Sequence, residues 1–155
     1  MEGDFDLETF LPYRLNRAAE AVSLRFAIQY KERYRMTRPE WRTLAALGAN
    51  GRMSATAIGL HSSMHKTKVS RAVKALEDRR WLKRVEDDRD RRMEHIELTS
   101  EGMRAYADMA KLARAYQAEL AALFGATGLV KLEAGLDAVE SVMLPRRKTR
   151  RSRSE

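Results

Sequence analysis

His65-Lys66-Thr67-Lys68-Val69-Ser70-Arg71-Ala72-Val73-Lys74-Ala75-Leu76 is the stretch whose reading decides the fold. Val69, Ala72, Val73 and Leu76 recur at i, i+3, i+4 and i+7, one apolar stripe along a helix. Lys66, Thr67, Ser70, Arg71 and Lys74 fall largely on the other side. Such a helix packs by one side and offers cations and hydroxyls with the other. Ahead of it, Ser54 reads as the cap of a short helix over residues 55–61, anchored by Ile58 and Leu60. Ser62-Ser63-Met64 reads as the turn between the two helices. Behind it, residues 82–85 read as a short strand, 86–91 as a charged turn and 92–98 as a returning strand. Residues 54–102 therefore spell a helix-turn-helix followed by a two-stranded wing, an arrangement that lays a helix in a DNA groove.

Working outward, Leu11, Leu15, Ala18, Val22 and Phe26 keep helical spacing, with Pro12 in a first turn where its missing N–H is not needed. The opposite side of this helix carries Arg14, Arg17, Glu20, Arg25 and Lys31. Thr37-Arg38-Pro39-Glu40 has capping-box spacing and opens a second helix, buried through Trp41, Leu44, Ala45 and Leu47 and ended by Asn50-Gly51. After the wing, Thr99 or Ser100 caps a fifth helix. Its Met103, Tyr106, Ala110, Ala113, Gln117, Leu120 and Phe124 step by three and four, a seam like that of a coiled coil. Gly125 and Gly128 break it. A sixth helix carries Leu132, Leu136, Val139 and Met143 and stops at Pro145. The fold class is mostly α: a winged helix-turn-helix with a two-stranded β wing, flanked by N- and C-terminal dimerisation helices. The expected divisions are an N-terminal dimerisation helix over 1–35, a DNA-binding domain over 36–100, C-terminal dimerisation helices over 101–145 and a disordered basic tail over 146–155. The terminal stripes exceed what a small DNA module needs for its own core, so a second copy of the chain is the expected cover. A dimer sets two recognition helices about 34–36 Å apart, one DNA turn.

Composition narrows the function classes. At 155 residues with 44% hydrophobic residues, the chain has material for a core. The absence of cysteine excludes a disulfide framework, a thiolate metal site and a thiol switch. No apolar run reaches the ~18–20 residues of a membrane span, and the start, Met1-Glu2-Gly3-Asp4, is acidic rather than basic. The expectation is a cytoplasmic protein with no membrane partner. The formal charge of +8 is uneven: residues 146–155 hold six basic residues and one acid, +5, leaving 24 basic minus 21 acidic, +3, for the body. The body's case for nucleic acid rests on where its charge sits. The tail is expected to add sequence-independent DNA affinity.

No metal is expected. His61 and His65 are four apart, but the turn falls between them and no third ligand stands near. Asp87, Asp88 and Asp90 alternate with Arg89, Arg91 and Arg92, so a divalent ion gains little there. His95 has a solvent or hydrogen-bonding reading only. A Gly-rich phosphate loop, a Gly-x-Ser-x-Gly and a His-Glu-x-x-His are all absent, so neither an enzyme nor a cofactor is expected.

The order of elements resembles the multiple antibiotic resistance regulator (MarR) family. Asp90-Arg91-Arg92-Met93-Glu94-His95-Ile96-Glu97-Leu98-Thr99 fits the family wing pattern Asp-x-Arg-x-x-x-hydrophobic-x-Leu-Thr, and Gly102 stands where the family has a glycine. Thr67-Lys68-Val69-Ser70-Arg71-Ala72-Val73, Leu76-Glu77 and Trp81-Leu82 also agree. The resemblance spans residues 11–143. Two positions depart. His65 replaces the acidic residue that opens the recognition helix, which moves the expected cap to Ser62 or Ser63. Arg79-Arg80 precedes Trp81 where the family has a glycine.

Thr67, Ser70 and Arg71 are the candidates for base edges, since Ser and Thr are short and Arg bridges guanine N7 and O6. Lys66, Lys68 and Lys74 read as phosphate contacts. Arg92 reads as a minor-groove residue, with Asp90 holding its guanidinium through a bidentate pair, roles the resemblance also implies. The resemblance further implies a small anionic or aromatic effector between the dimer arms and the winged module. Tyr13 and Arg17, one turn apart, and Trp41 offer a ring, a cation and a ring for it. Against this, Trp41 reads as plain core and Arg17 as surface, and for any single residue that plainer reading is the favoured one. The functional expectation is a homodimeric repressor on a pseudo-palindromic double-stranded operator, released by that effector. Two rivals remain: an architectural protein that coats DNA without sensing, and a winged module that binds another protein.

Overall fold

The structure, a computed structural model, describes residues 3–145; the expected basic tail over 146–155 lies outside them. The elements are α1 (Leu11–Tyr34), α2 (Arg38–Asn50), α3 (Ala55–Ser62), α4 (Lys66–Asp78), β1 (Leu82–Glu86), β2 (Glu94–Leu98) and α5 (Ser100–Met143). They fall into two compact units, one ending at Arg114 and one beginning at Ala115.

Local chemistry sets the helix starts in the first unit. The Thr37 hydroxyl accepts from the Glu40 amide, and the Glu40 carboxylate accepts from the Thr37 amide, so the capping box is closed in both directions. Ser54 caps α3 through the Ala57 amide at 3.1 Å. Thr99 caps α5: its hydroxyl accepts from the Gly102 amide at 3.1 Å and donates to the Arg80 carbonyl at 2.7 Å. The cap of α4 is His65, not Ser62 or Ser63 as expected. Its Nδ1 faces the Thr67 amide at 3.5 Å, while Ser63 is left-handed (φ 52°) and ends α3.

The first unit buries one core. Phe26 and Tyr30 of α1, Leu44 and Leu47 of α2, Ile58 of α3, and Val69, Val73 and Leu76 of α4 meet Leu82, Ile96 and Met109. β1 and β2 pair antiparallel with Val85 opposite His95 and Arg84 opposite Ile96. Met53 extends the sheet by a single bridge to Ile96. Gly102 is required by a close approach: a Cβ there would run into the Trp81 carbonyl, so the start of α5 sits directly on the base of the wing. Arg80 adopts φ 62°, a conformation glycine takes freely and an L-residue pays roughly 1–2 kcal/mol to hold. That is the place where the sequence departs from the family's glycine.

The helical run Ser100–Met143 is two helices that meet at a kink at Gly125 (φ 70°, ψ 166°), the break expected between a fifth and a sixth helix; Gly128, expected to share in the break, stays helical. Within the first unit, α5 faces the core through Ala105 and Met109, whereas Met103, the start of the expected seam, is exposed. The α1 stripe is buried only from Phe26 onward, and Leu11, Leu15 and Val22 stand exposed. In the second unit Leu123, Phe124, Val130, Leu132 and Leu136 are exposed as well. No helix among the described residues is long and apolar enough to cross a membrane.

Candidate nucleic-acid interface

The helix α4 divides cleanly. Val69, Ala72, Val73 and Leu76 are buried, and Lys66, Thr67, Lys68, Ser70, Arg71 and Lys74 are all exposed. The buried four fix the helix's rotation, so the six polar side chains point outward together. Lys74 is held by Asp78 one turn on, at 2.7 Å, and the carboxylate raises its pKa. That exposed pair is weak in water and exchanges readily for a phosphate.

The wing is built from short-range hydrogen bonds. Asp87 accepts the amides of Arg89 (2.8 Å) and Asp90 (3.4 Å) on Oδ1 and faces His95 Nε2 at 2.8 Å on Oδ2. Its carboxyl lies below the usual range, first because of His95 and next because of the Arg89 amide. Asp90 does not grip the Arg92 guanidinium. Its Oδ1 accepts the Arg92 backbone amide at 3.0 Å, because both residues lie in the turn and not on one strand face, as the sequence reading had them. Arg89, Arg91 and Arg92 are exposed, and no ion pair among the described residues holds them. On the body of the wing, Arg84 is clamped between Glu77 and Glu94, both at 2.7 Å, and those carboxylates raise its pKa.

Of the three residues expected to line an effector site, Tyr13 and Arg17 are brought together and Trp41 is apart from them. Arg17 lies over the Tyr13 ring at 5.4 Å and pairs with Glu8 at 2.7 Å. Trp41 instead joins Phe26 and Tyr30, with ring centroids 5.5 and 6.1 Å away. Those rings lie roughly 15–25 Å farther along α1, at 1.5 Å per residue. The sequence reading did not foresee a cleft formed elsewhere in the first unit. A cleft of about 950 Å³ opens where the end of α1, the start of α2 and the α3–α4 turn converge. Lys31, Arg35, Arg38, Arg42, His65 and Lys68 line it with positive or titratable groups, and buried Tyr30 and Met36 give it an apolar floor. Arg38 is anchored by Glu20 through two bonds of 2.7 and 3.0 Å.

A side-chain network ties this region to the far end of α4. Arg79, the residue that ends α4, donates to the Tyr34 carbonyl at 2.6 Å and to the Arg35 carbonyl at 3.2 Å. Its guanidinium lies 5.0 Å from the Trp81 ring centre, and Tyr34 meets the same ring edge-on. Tyr34 in turn donates to Asp108 of α5 at 2.6 Å, and Arg33 pairs with that carboxylate at 2.9 Å. Asp108 titrates below its ordinary value, chiefly through Arg33 and then Tyr34.

Residues 36–93 match the MarR family. No curated protein matches the chain by sequence. Among solved structures, a MarR family transcriptional regulator from Silicibacter pomeroyi DSS-3 is 26% identical with a TM-score of 0.79, over 90% of this chain and 98% of that one. Bordetella bronchiseptica BpsR, whose DNA binding is regulated by 6-hydroxynicotinic acid, is 19% identical (TM-score 0.77) over 89% of this chain and 98% of its own. PcaV from Streptomyces coelicolor, a transcriptional regulator solved with its natural ligand, is 20% identical (TM-score 0.71) over 90% and 98%.

Proposed function

We propose, from the premise that residues 36–93 are a MarR-family winged helix, that this chain is a homodimeric, sequence-specific repressor released from DNA by a small aromatic acid. The observation that carries the reading is α4, where four buried residues aim six exposed cations and hydroxyls outward beside a wing with three exposed arginines. Arg71, Thr67 and Ser70 read base edges in the major groove, and Lys66, Lys68 and Lys74 neutralise phosphates. Arg92 enters the neighbouring minor groove. The exposed apolar residues of α1 and of the second unit supply the dimer contact.

The effector reading moves from the Tyr13–Arg17–Trp41 set to the basic cleft. Its cations suit a carboxylate, its Tyr30 and Met36 floor suits a ring, and its volume falls in the range of small-molecule sites. Occupancy would bias the α1–α2 joint, and Arg79 grips that joint from the end of the recognition helix. An effector that binds one position of α4 better than the other shifts the dimer away from the DNA-binding state. The test is binding of the purified protein to the DNA upstream of its own gene, against a random duplex, with and without 6-hydroxynicotinic acid and related aromatic acids. Tight upstream binding that at least one acid weakens supports the reading. Equal affinity for both duplexes favours an architectural role, and no affinity for either favours a protein-binding module.

A further inference from the structure

We propose that Asp87 and His95 are the positioning residues of the wing, and that the charge on His95 makes the presentation of its arginines to DNA pH-dependent. The inference rests on the DNA-binding reading above and adds to it a residue pair and a regulating ion, the proton.

The geometry is local and closed. At the wing tip, the Asp87 carboxylate takes the amides of Arg89 and Asp90 and the ring of His95, and the Asp87 amide donates to the Met93 carbonyl at 3.1 Å. The Asp90 carboxylate takes the Arg92 amide, and the Met93 amide returns to the Asp90 carbonyl at 2.9 Å. Arg89, Arg91 and Arg92 thus leave a backbone whose shape is set by two aspartates. Only Asp87 is also tied to a strand, through His95 on β2, so this one contact fastens the tip to the body of the wing.

The surroundings make His95 the group whose charge matters. Strand alternation puts Lys83, Val85 and Asp87 on the face of His95 and Glu97. Glu97 is already engaged by Arg52 at 2.9 Å and Lys83 at 3.2 Å, which leaves Asp87 as the carboxylate opposed to the ring. Arg84, Glu86, Glu94 and, from α4, Glu77 belong to the other face. A neutral imidazole still donates from Nε2, and a protonated one adds an ion pair. Imidazole ordinarily changes charge near pH 6.5. Asp87, held below its usual range by His95 and the tip amides, contributes above about pH 4 and loses its contribution only as pH falls through its depressed value.

His61 and His65 are imidazoles as well, and a proton on His65 Nδ1 would remove its acceptance from the Thr67 amide. The wild-type pH slope is therefore a sum, and the informative quantity is its difference from His95→Gln. Two measurements on the full chain test the proposal. NMR of the free protein between pH 5.5 and 8 should show the His95 ring and the amides of Arg89 and Asp90 shifting with one midpoint, the amide shifts vanishing in His95→Gln. On the upstream DNA fragment, the ratio of Kd for His95→Gln to wild type should be about threefold at pH 6 and near one at pH 8, the scale of a partly exposed ion pair. Asp87→Asn should weaken binding at both values despite gaining one positive charge. Amide shifts independent of His95, an equal ratio at both pH values, or tighter binding by Asp87→Asn overturns the inference and leaves the DNA reading standing. Failure of the wild type to bind any duplex overturns the DNA reading and the wing's role with it, even where the common midpoint survives.

Discussion

Replacing Arg71 and Lys74 separately with Ala tests whether the outward side of α4 is divided between base reading and phosphate contact. Both side chains are exposed, and neither belongs to the buried Val69, Ala72, Val73, Leu76 stripe that anchors the helix. Thermal stability should change by no more than about 0.5 kcal/mol in either variant, so binding changes are not folding changes. Arg71→Ala should cost on the order of 1–3 kcal/mol on the specific site, about 5- to 150-fold, and much less on a random duplex. Lys74→Ala removes one phosphate contact. The slope of log affinity against log salt should fall by about 0.9, so between 50 and 200 mM salt the variant loses about 3.5-fold less affinity than the wild type. Lys74 must surrender Asp78, 2.7 Å away, to reach a phosphate. Asp78→Asn should therefore strengthen binding to specific and random duplexes alike. Fluorescence anisotropy with both duplexes over that salt range reads all three effects. Equal losses on specific and random DNA for Arg71→Ala, or an unchanged salt slope for Lys74→Ala, would refute the division.

Three further outcomes are expected. Sedimentation should show a species of twice 17.8 kDa at micromolar concentration, and a Leu132→Asp, Leu136→Asp double variant should shift it toward monomer with little change in helicity, since both residues are exposed in the single chain; an unshifted dimer would place the contact elsewhere. Arg92→Ala should lose most affinity on operators with A·T-rich flanks and little on G·C-rich ones, as a competition series across flanks would report. Asp108 carries a depressed pKa through Arg33 and Tyr34, so its stabilisation is present above about pH 4 and lost as pH falls through the folded value. Asp108→Asn should cost about 1 kcal/mol at pH 7 by urea denaturation and make stability flatter below pH 4; an unaltered acid limb would remove Asp108 from that role.

Signals carried by neighbouring residues were legible in the sequence. The Thr37–Glu40 box, the Ser54 cap and the α4 stripe each depend on spacings of one to seven residues, and each stands as read; the two wing strands were found, with their ends shifted by one and two residues. What escaped depends on residues brought together from afar. The basic cleft draws on α1, α2 and the α3–α4 turn at once, and none of its cations stands out from an ordinary solvated surface. Trp41 fits either a ligand site or a core by spacing, and only the positions of Phe26 and Tyr30 decide for the aromatic cluster. In the wing, Asp90 and Arg92 suggested a side-chain pair because a strand was carried two residues too far. With β2 beginning at Glu94 they lie in the turn, where a short aspartate reaches an amide more readily than a guanidinium. His95 and Asp87 are eight apart and meet only because the register sets Val85 opposite His95.

The helical period explains how such a module keeps its fold while its DNA target changes. On α4 the inward positions 69, 72, 73 and 76 and the outward positions 67, 70, 71 and 74 are interleaved, yet no residue serves both purposes. Changing an outward residue costs almost nothing in stability, whereas changing an inward one opens a cavity worth about 2–5 kcal/mol for Leu to Ala. On the proposed DNA-binding reading, base recognition and folding therefore fall to separate columns of one helix. Arg79 is the exception that joins them. It ends α4, lies over the Trp81 ring, pairs with Glu40 at 3.6 Å and donates to the Tyr34 and Arg35 carbonyls at the α1–α2 joint. Its contacts join the end of α4 to the α1–α2 joint, whose Arg35 also lines the basic cleft, so a change at Arg79 acts on both regions through the same hydrogen bonds.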